Sequence, residues 1–324
     1  MNLEFYNCAK NNKPLIIVDL DLDGQGCRIL FEYYLSKNNL DYDIIQSRIS
    51  DVDHLEEELL DHDLIVYADL APTLESYNNL INMGKIVYIL DHHESSKERL
   101  GNLSNYFYDK TKSATKIVYE FLTEGLPERA IHKGIVKFVN YVNAYDLFLT
   151  KTEDFKFGKY LHYILFSHVF DKSTFGNQER GYDNFAELQL RKFDYFKDFT
   201  WVPLERKYIQ KEVKKEEKAL REAKNSYQKR VDSQGLSYGY IELGTKVSLI
   251  ASMMLEKLDD IDYMVIYVTY KPHDHKFSLR SKGDFNVRAI AEKYNGGGHL
   301  NAAGLQLETE ELRDKYRKGI LHFN

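Results

Sequence analysis

An alternation near the start of this chain restricts its fold most: short apolar runs separated by helix-length segments. PLIIVD (14–19), YDIIQ (42–46), DLIVYAD (63–69) and KIVYILD (85–91) are strand-like, and CRILFEYYLSK (27–37) has helical spacing. Strands alternating with helices indicate a parallel sheet, because parallel neighbours need long right-handed crossovers. Three of the runs end on an acid, at Asp19, Asp69 and Asp91. Ligand sites in open α/β sheets form at the carboxyl ends of strands, so this topology would gather those carboxylates. Like charges buried together are prohibitively costly unless cations neutralise them.

The pattern then changes twice. Residues 112–200 read as mostly helical, and 204–230 (LERKYIQKEVKKEEKALREAKNSYQKR) has no Gly or Pro and many i,i+4 ion pairs, as expected of a long exposed connecting helix. After Gln234-Gly235, SYGYIEL, DYMVIYVTY and HKFSLRSK read as strands, with KVSLIASMMLEKL and NVRAIAEKY as helices. A chain of 324 residues exceeds what one core usually serves. The expected division is therefore 1–203, a helical linker over 204–233, and a smaller α/β domain over 234–324.

Composition narrows the partners. A net charge of -6 provides no global basic field for long nucleic acid, so a polyanionic substrate would need a local site. Cys8 and Cys27 are too few for a disulfide framework or a thiolate zinc site. The start, MNLEFYNCAK, lacks the features of a signal peptide, and the apolar runs are too short to span a bilayer. A cytoplasmic location and no membrane association are the expectations.

The chemistry-bearing residues are scattered. Asp19-Leu20-Asp21-Leu22-Asp23-Gly24 puts three acids at alternate positions after the first strand; alone it also fits a solvated acidic turn, although the pattern of a calcium hand fails. Asp69 alone reads as a helix cap, and Asp146, in NAYDLF, as an ordinary helix-terminal aspartate. In Asp91-His92-His93, adjacent imidazoles rarely point the same way, so one can ligate while the acid orients the other. Far downstream, Gly296-Gly297-Gly298-His299 exposes backbone N–H groups beside a lone histidine, which suits an anion. Arg280, in FSLRSK, alternates with Phe277 and Leu279 and so faces away from the apolar side of its strand. His54, His62, His132, His162, His168, His273 and His275 have no metal spacing and read as surface or packing residues.

Taken in order, these motifs resemble the DHH phosphoesterases with a C-terminal DHHA1 domain. DLDLDG is similar to the first motif, Asp69 to the second, DHH to the third and Asp146 to the fourth, while FSLRS and GGGHLNAAG resemble the DHHA1 substrate-binding part. The likeness runs from about residue 15 to 304, and the wording DLDGQGC is most similar to the small oligoribonuclease (nano-RNase) group. Asp19 stands where many small members have His and RecJ-type exonucleases have Asp. The resemblance implies a parallel-sheet DHH domain joined by the helical linker to a smaller α/β DHHA1 domain, with the active site in the cleft between them. It implies two divalent cations, Mn²⁺ ahead of Mg²⁺. One would be held by Asp19, Asp21 and Asp69, the other by Asp23, Asp69, His92 and Asp146. His93, with Asp91, would be catalytic, and Arg280, Gly296, Gly297, Gly298 and His299 would bind substrate.

The physics agrees, since carboxylates with one imidazole suit Mn²⁺ or Mg²⁺, and two such ions about 3.5–4 Å apart can drive in-line displacement at phosphorus. The expected activity is exonucleolytic hydrolysis of short oligonucleotides, chiefly RNA, to nucleoside 5′-monophosphates. Alternatives keep the chemistry and change the substrate: 3′-phosphoadenosine 5′-phosphate, linear or cyclic dinucleotides, or single-stranded DNA as in RecJ. A non-catalytic nucleic-acid or protein-binding relative should have broken ligand positions, and here every one is an acid or a histidine. No obligate protein partner is implied, and a homodimer is compatible with the sequence.

Overall fold

The computed structural model describes residues 2–170, 177–269 and 275–323, with the side chains of 56, 57, 128 and 299 outside that description. The chain forms two compact units, Met1–Ile209 and Gln210–Asn324. His273, expected in a solvated turn, lies outside the described residues. Among those described, no helix is long and apolar enough to cross a membrane.

In the first unit, β1 (Pro14–Val18), β2 (Asp43–Gln46), β3 (Leu64–Ala68), β4 (Ile86–Asp91) and β5 (Tyr106–Tyr108) form a sheet in the order β2-β1-β3-β4-β5. Every pairing is parallel. Both faces are covered, so successive residues of each central strand enter opposite cores. Ile16, Val66 and Leu90 pack with the helices Leu22–Lys37, Ala114–Thr123 and Lys133–Asp146, while Ile17, Tyr67 and Ile89 pack on the other side with Leu80 and Leu100. This strand order reverses direction between β1 and β3, and that switch point is where a doubly wound sheet opens a crevice for ligand. Asp19 and Asp69 stand directly beyond those two strands.

In the second unit, β6 (Gln228–Val231), β7 (Ser237–Leu243), β8 (Tyr263–Val268), β9 (Lys276–Ser281), β10 (Gly297–His299) and β11 (Ala302–Gln306) are ordered β10-β11-β9-β8-β7-β6. The sheet is mixed: β7 and β8 are parallel and the other pairs antiparallel. One face packs Tyr240, Val265, Phe277 and Leu279 against the helices Val287–Glu292 and Glu310–Arg317; the other packs Ile241, Met264 and Ile266 against the helix Val247–Leu255 and against Ala219 and Ala223.

Three local expectations are corrected. The acids after β1 do not share one turn: a helix starts at Leu22, with Asp21 as its N-cap and Asp23 inside it. The Lys/Glu-rich helix spans Pro203–Ser226 and stops before β6, which pairs with β7. Nor is it wholly solvated, since Glu205 is buried against Lys192, and Ala219 and Ala223 are core residues. The glycine run is an edge strand rather than a loop, with Gly297 opposite Gly304 and Gly298 opposite Ala303. An edge strand still directs part of its backbone N–H and C=O groups outward.

Candidate metal centre

The site is assembled from strand ends and helix termini. Asp21, capping the helix Leu22–Lys37, accepts the N–H groups of Asp23 (2.9 Å) and Gly24 (3.0 Å) on Oδ1. The turn is tight: a Cβ on Gly24 would lie 2.3 Å from the carbonyl oxygen of Asp19, so only glycine lets the helix start this close to the strand end. Asp23 is buried, and its carboxylate receives the start of another helix. Oδ2 accepts the N–H of Ala114 (2.6 Å), Oδ1 that of Thr115 (2.9 Å), and Thr115 Oγ1 donates to the Asp23 carbonyl at 2.7 Å. The positive end of the helix Ala114–Thr123 thus fixes the orientation of Asp23.

Asp69 follows β3 with φ +66°, while its N–H still donates to the Leu90 carbonyl at 3.0 Å. Aspartate is among the few residues that tolerate the left-handed region, and such conformations cluster at functional sites. Asp91, the last residue of β4, is fully buried. Its Oδ1 accepts the N–H of His92 (2.8 Å), the N–H of His93 (3.3 Å) and the ring Nδ1 of His93 (2.7 Å). Asp91 is thereby placed to orient the His93 ring.

The separate segments meet at one nitrogen. His92 Nε2 lies 3.5 Å from Asp69 Oδ1, 3.5 Å from Asp146 Oδ2 and 3.8 Å from Asp23 Oδ2. These separations are too long for good hydrogen bonds. The two 3.5 Å separations match ligands of a common ion, since two donors each roughly 2.0–2.2 Å from a cation stand about 3–3.5 Å apart, and Asp23 lies slightly farther out. Asp69 Oδ1 and Asp146 Oδ2 are also buried with no hydrogen-bond partner. Two overlapping sets, Asp23–His92–Asp146 and Asp69–His92–His93, each bring their donor atoms within 4.8 Å of one another. Oxygen-rich sets with imidazole fit hard or borderline divalent cations.

The electrostatics describe the same need for positive charge. Burial, followed by the charge of Asp23, pushes Asp69 and Asp146 well above the usual carboxylate range. Burial and then Asp21 raise Asp19 to about 6. Burial lowers the pKa of His92, which leaves its ring neutral and able to ligate. For His93, burial works in the same direction, but the hydrogen bond and charge of Asp91 prevail and its pKa is raised.

Asp23, Asp69, His92 and Asp146 therefore converge. Asp21 commits Oδ1 to its cap, and Asp19 Oδ1 accepts the N–H of Leu20 at 2.6 Å. In the second unit, Arg280 donates to Ser278 Oγ (2.9 Å), Ser248 Oγ (2.5 Å) and the Leu279 carbonyl (2.8 Å). Burial lowers its pKa, with no acid acting in opposition. Gly296, Gly297 and Gly298 lead into or form β10; His299 ends that strand, and its side chain is outside the described residues.

Some participants were not read from sequence. Arg48, exposed beyond β2, lowers the pKa of Asp19 by its charge, and the buried Gln25 donates from Nε2 to the Asp19 carbonyl at 3.0 Å. Arg48 carried a usable signal, a cation just past the strand that borders β1. Gln25 and Thr115 carried none, because their partners are distant in sequence. Three other histidines pack or pair: His62 with Asp43 at 2.8 Å, His168 on the Tyr208 ring and His162 on Tyr145 and Phe166.

Comparison with known proteins gives a consistent result. The sequence pattern of the DHH family, N-terminal domain, matches residues 13–141, and that of the DHHA1 domain matches 235–323. The chain is 24% identical over 337 residues to a 3′,5′-cyclic-nucleotide phosphodiesterase of Helicobacter pylori, covering 92% of this chain and 94% of that protein. It is 24% identical over 306 residues to the oligoribonuclease NrnB of Bacillus subtilis, covering 90% and 72%. Among solved structures, a pGpG-specific phosphodiesterase from Vibrio cholerae shares the fold, with a TM-score of 0.58 at 15% identity over 95% of this chain and 97% of that one.

Proposed function

Because the chain belongs to the DHH family and carries a C-terminal DHHA1 domain, and so is a hydrolase of phosphoester bonds, we propose that it degrades short oligoribonucleotides from one end to nucleoside 5′-monophosphates. The observation that carries this reading is the convergence of Asp23, Asp69 and Asp146 on His92 Nε2 at the switch point of a parallel sheet, with two buried carboxylate oxygens lacking partners. In this proposal Asp23, Asp69, His92 and Asp146 hold one divalent cation and Asp19, Asp21 and Asp69 the other, with Asp69 shared. Such cations, Mn²⁺ ahead of Mg²⁺, supply charge against the phosphate and Lewis acidity toward its oxygens.

The remaining steps belong to the protein. Burial keeps the His92 ring neutral, so its Nε2 lone pair stays available. Release of a 5′-monophosphate breaks the bond between phosphorus and the 3′ oxygen as water adds, and the departing oxygen needs a proton. His93 is suited to give it from Nε2, because Asp91 holds Nδ1 and keeps the ring's pKa raised. Arg280, lacking an acidic counter-charge in its environment, holds a substrate phosphate together with the outward amides of β10.

A second reading replaces the oligonucleotide with a cyclic nucleotide or dinucleotide. It is favoured by the similarity to the Helicobacter phosphodiesterase, which spans nearly the whole of both chains. The discriminating experiment is product analysis with Mn²⁺ on end-labelled RNA of two to ten nucleotides, the same lengths of DNA, pGpG and 3′,5′-cyclic AMP. Stepwise release of mononucleotides, fastest on the shortest RNA, supports the first reading. Turnover confined to cyclic AMP or pGpG establishes the second, and no turnover of any probe refutes both.

A further inference from the structure

Two of the converging carboxylates are gauged against each other by a neutral side chain. Asn143 lies in the helix Lys133–Asp146, three residues before Asp146, so the two side chains leave the same face of that helix about one turn apart. Asn143 Oδ1 accepts the backbone N–H of Ser113 at 2.9 Å. Ser113 is buried and caps the helix Ala114–Thr123. The next two N–H groups, from Ala114 and Thr115, are the ones that hold the Asp23 carboxylate. A continuous chain of contacts therefore runs from Asp146, along one helical turn, to Asn143, Ser113 and Asp23.

The bond is suited to setting a distance. An asparagine amide has both a donor and an acceptor end, and because its partner here is an N–H, the oxygen must be the end that faces Ser113. The N–H of a capping residue precedes the hydrogen-bonded turns of its helix, so no carbonyl of that helix can take it. Elsewhere the loop after β5 is held near the surface. Asp109 accepts the N–H and Oγ1 of Thr111 at 2.9 and 2.6 Å, and Lys112 pairs with Asp109 and Glu120 at 3.0 and 2.8 Å. Surface ion pairs contribute little, whereas a buried N–H left without an acceptor is costly. The loop takes its depth from Asn143.

On the side of Asp23 there is no slack to absorb a shift. Thr115 Oγ1 donates to the Asp23 carbonyl at 2.7 Å, and a Cβ on Gly26 would stand within 2.2 Å of the same hydroxyl. The helices Leu22–Lys37 and Ala114–Thr123 are thus in close contact where Asp23 is held, and a movement at Ser113 passes to its carboxylate.

We propose that Asn143 is a positioning residue, which holds the start of the helix Ala114–Thr123 at the depth that lets Asp23 and Asp146 reach one cation. Their carboxylate oxygens already approach a common nitrogen, His92 Nε2, at 3.8 and 3.5 Å. The inference rests on the reading of Asp23 and Asp146 as ligands of one ion. Without Asn143 the Ser113 N–H shifts toward another acceptor and carries Asp23 with it, while Asp146 keeps its place on its own helix.

The test is calorimetric titration of the full chain with Mn²⁺, with hydrogen exchange in EDTA as a readout that needs neither metal nor turnover. Asn143→Ala should weaken Mn²⁺ binding about tenfold, the lower end of the roughly 10–100-fold loss that follows removal of a group orienting a metal ligand. In EDTA its Ala114 and Thr115 amides should exchange at least tenfold faster than in wild type, with those of Phe121 and Leu122, at the far end of the same helix, within twofold. Asn143→Asp keeps an oxygen toward Ser113 and should bind Mn²⁺ at least as tightly as wild type. Should Asn143→Ala fail to fold, Asn143→Ser, whose hydroxyl is too short to keep the full bond, should lose at least threefold in Mn²⁺ affinity. A purely structural role would speed exchange along the whole helix and leave Mn²⁺ affinity unchanged. That result, or an aspartate variant as weak as the alanine one, overturns the proposal. Failure of the ligand reading is separable: wild type itself would then bind no Mn²⁺, and the positioning role would fall with it.

Discussion

Replacing Asp69 by asparagine should make the metal-free protein more stable and remove most of the stabilisation that a divalent metal confers. Asparagine is nearly isosteric and, like aspartate, accepts the left-handed conformation recorded at φ +66°. What changes is the charge. Asp69 Oδ1 and Asp23 Oδ2 lie 3.5 and 3.8 Å from the same nitrogen, so they are at most about 7.3 Å apart, and at an effective dielectric near 20 two unit charges at that separation repel by about 2 kcal/mol. Asp146 adds a repulsion of the same sign. A net gain of about 2 kcal/mol corresponds to roughly 4–8 °C in Tm for a unit of this size. The assay is scanning calorimetry at pH 8, in EDTA and in excess Mn²⁺. Wild type should gain strongly from Mn²⁺, because the ion binds only the folded site, and the variant should gain little. If Asp69 were merely a helix cap, the asparagine variant would be less stable in EDTA and respond to Mn²⁺ as wild type does; that outcome would refute the reasoning.

The pH dependence of the metal-free protein below about pH 6 should show Asp19, with Asp69 and Asp146, whose pKa values are also raised, acting in the same direction. The folded pKa of Asp19, about 6, exceeds the ordinary 3.8, so the folded state binds the proton more tightly; stability should fall as pH rises from about 4 to 6, and unfolding in EDTA across that range checks the sign. In EDTA, Asp23→Ala should be about 1–2 kcal/mol less stable than Asp146→Ala by urea unfolding, because both remove a like charge but only Asp23 caps the helix Ala114–Thr123. Asp91→Asn should lower kcat at pH 8 by at least about tenfold with little change in KM, and should move the basic limb of the pH profile to lower pH, since burial then dominates the His93 pKa; an unmoved profile would contradict the positioning role. Lys192→Ala should cost about 3–5 kcal/mol in urea unfolding with unchanged KM, because it leaves Glu205 buried without its 2.7 Å partner.

The sequence alone determined the parallel sheet of the first unit and placed Asp69 at a strand end, whereas Asp23 and Asp146 were singled out by the resemblance to the DHH phosphoesterases. Strand–helix alternation restricts topology severely, and acids at strand ends inherit their location from that topology. The strands after 14, 42, 63 and 85, and the placement of Asp146 at the end of its helix, follow from local periodicity that tertiary contacts reinforce. Local patterns did not reveal β5, β6, β10 or β11, which are three to five residues long and owe their pairing to neighbours rather than to a period of their own. Only the folded chain decided that Asp23 is held by the amides of Ala114 and Thr115, and that Ser248 and Ser278 accept hydrogen bonds from Arg280. The physical reason is range. Periodicity and turn chemistry act within a few residues, whereas a hydrogen bond between Asp23 and Ala114 joins atoms whose proximity exists only after the intervening sheet has formed.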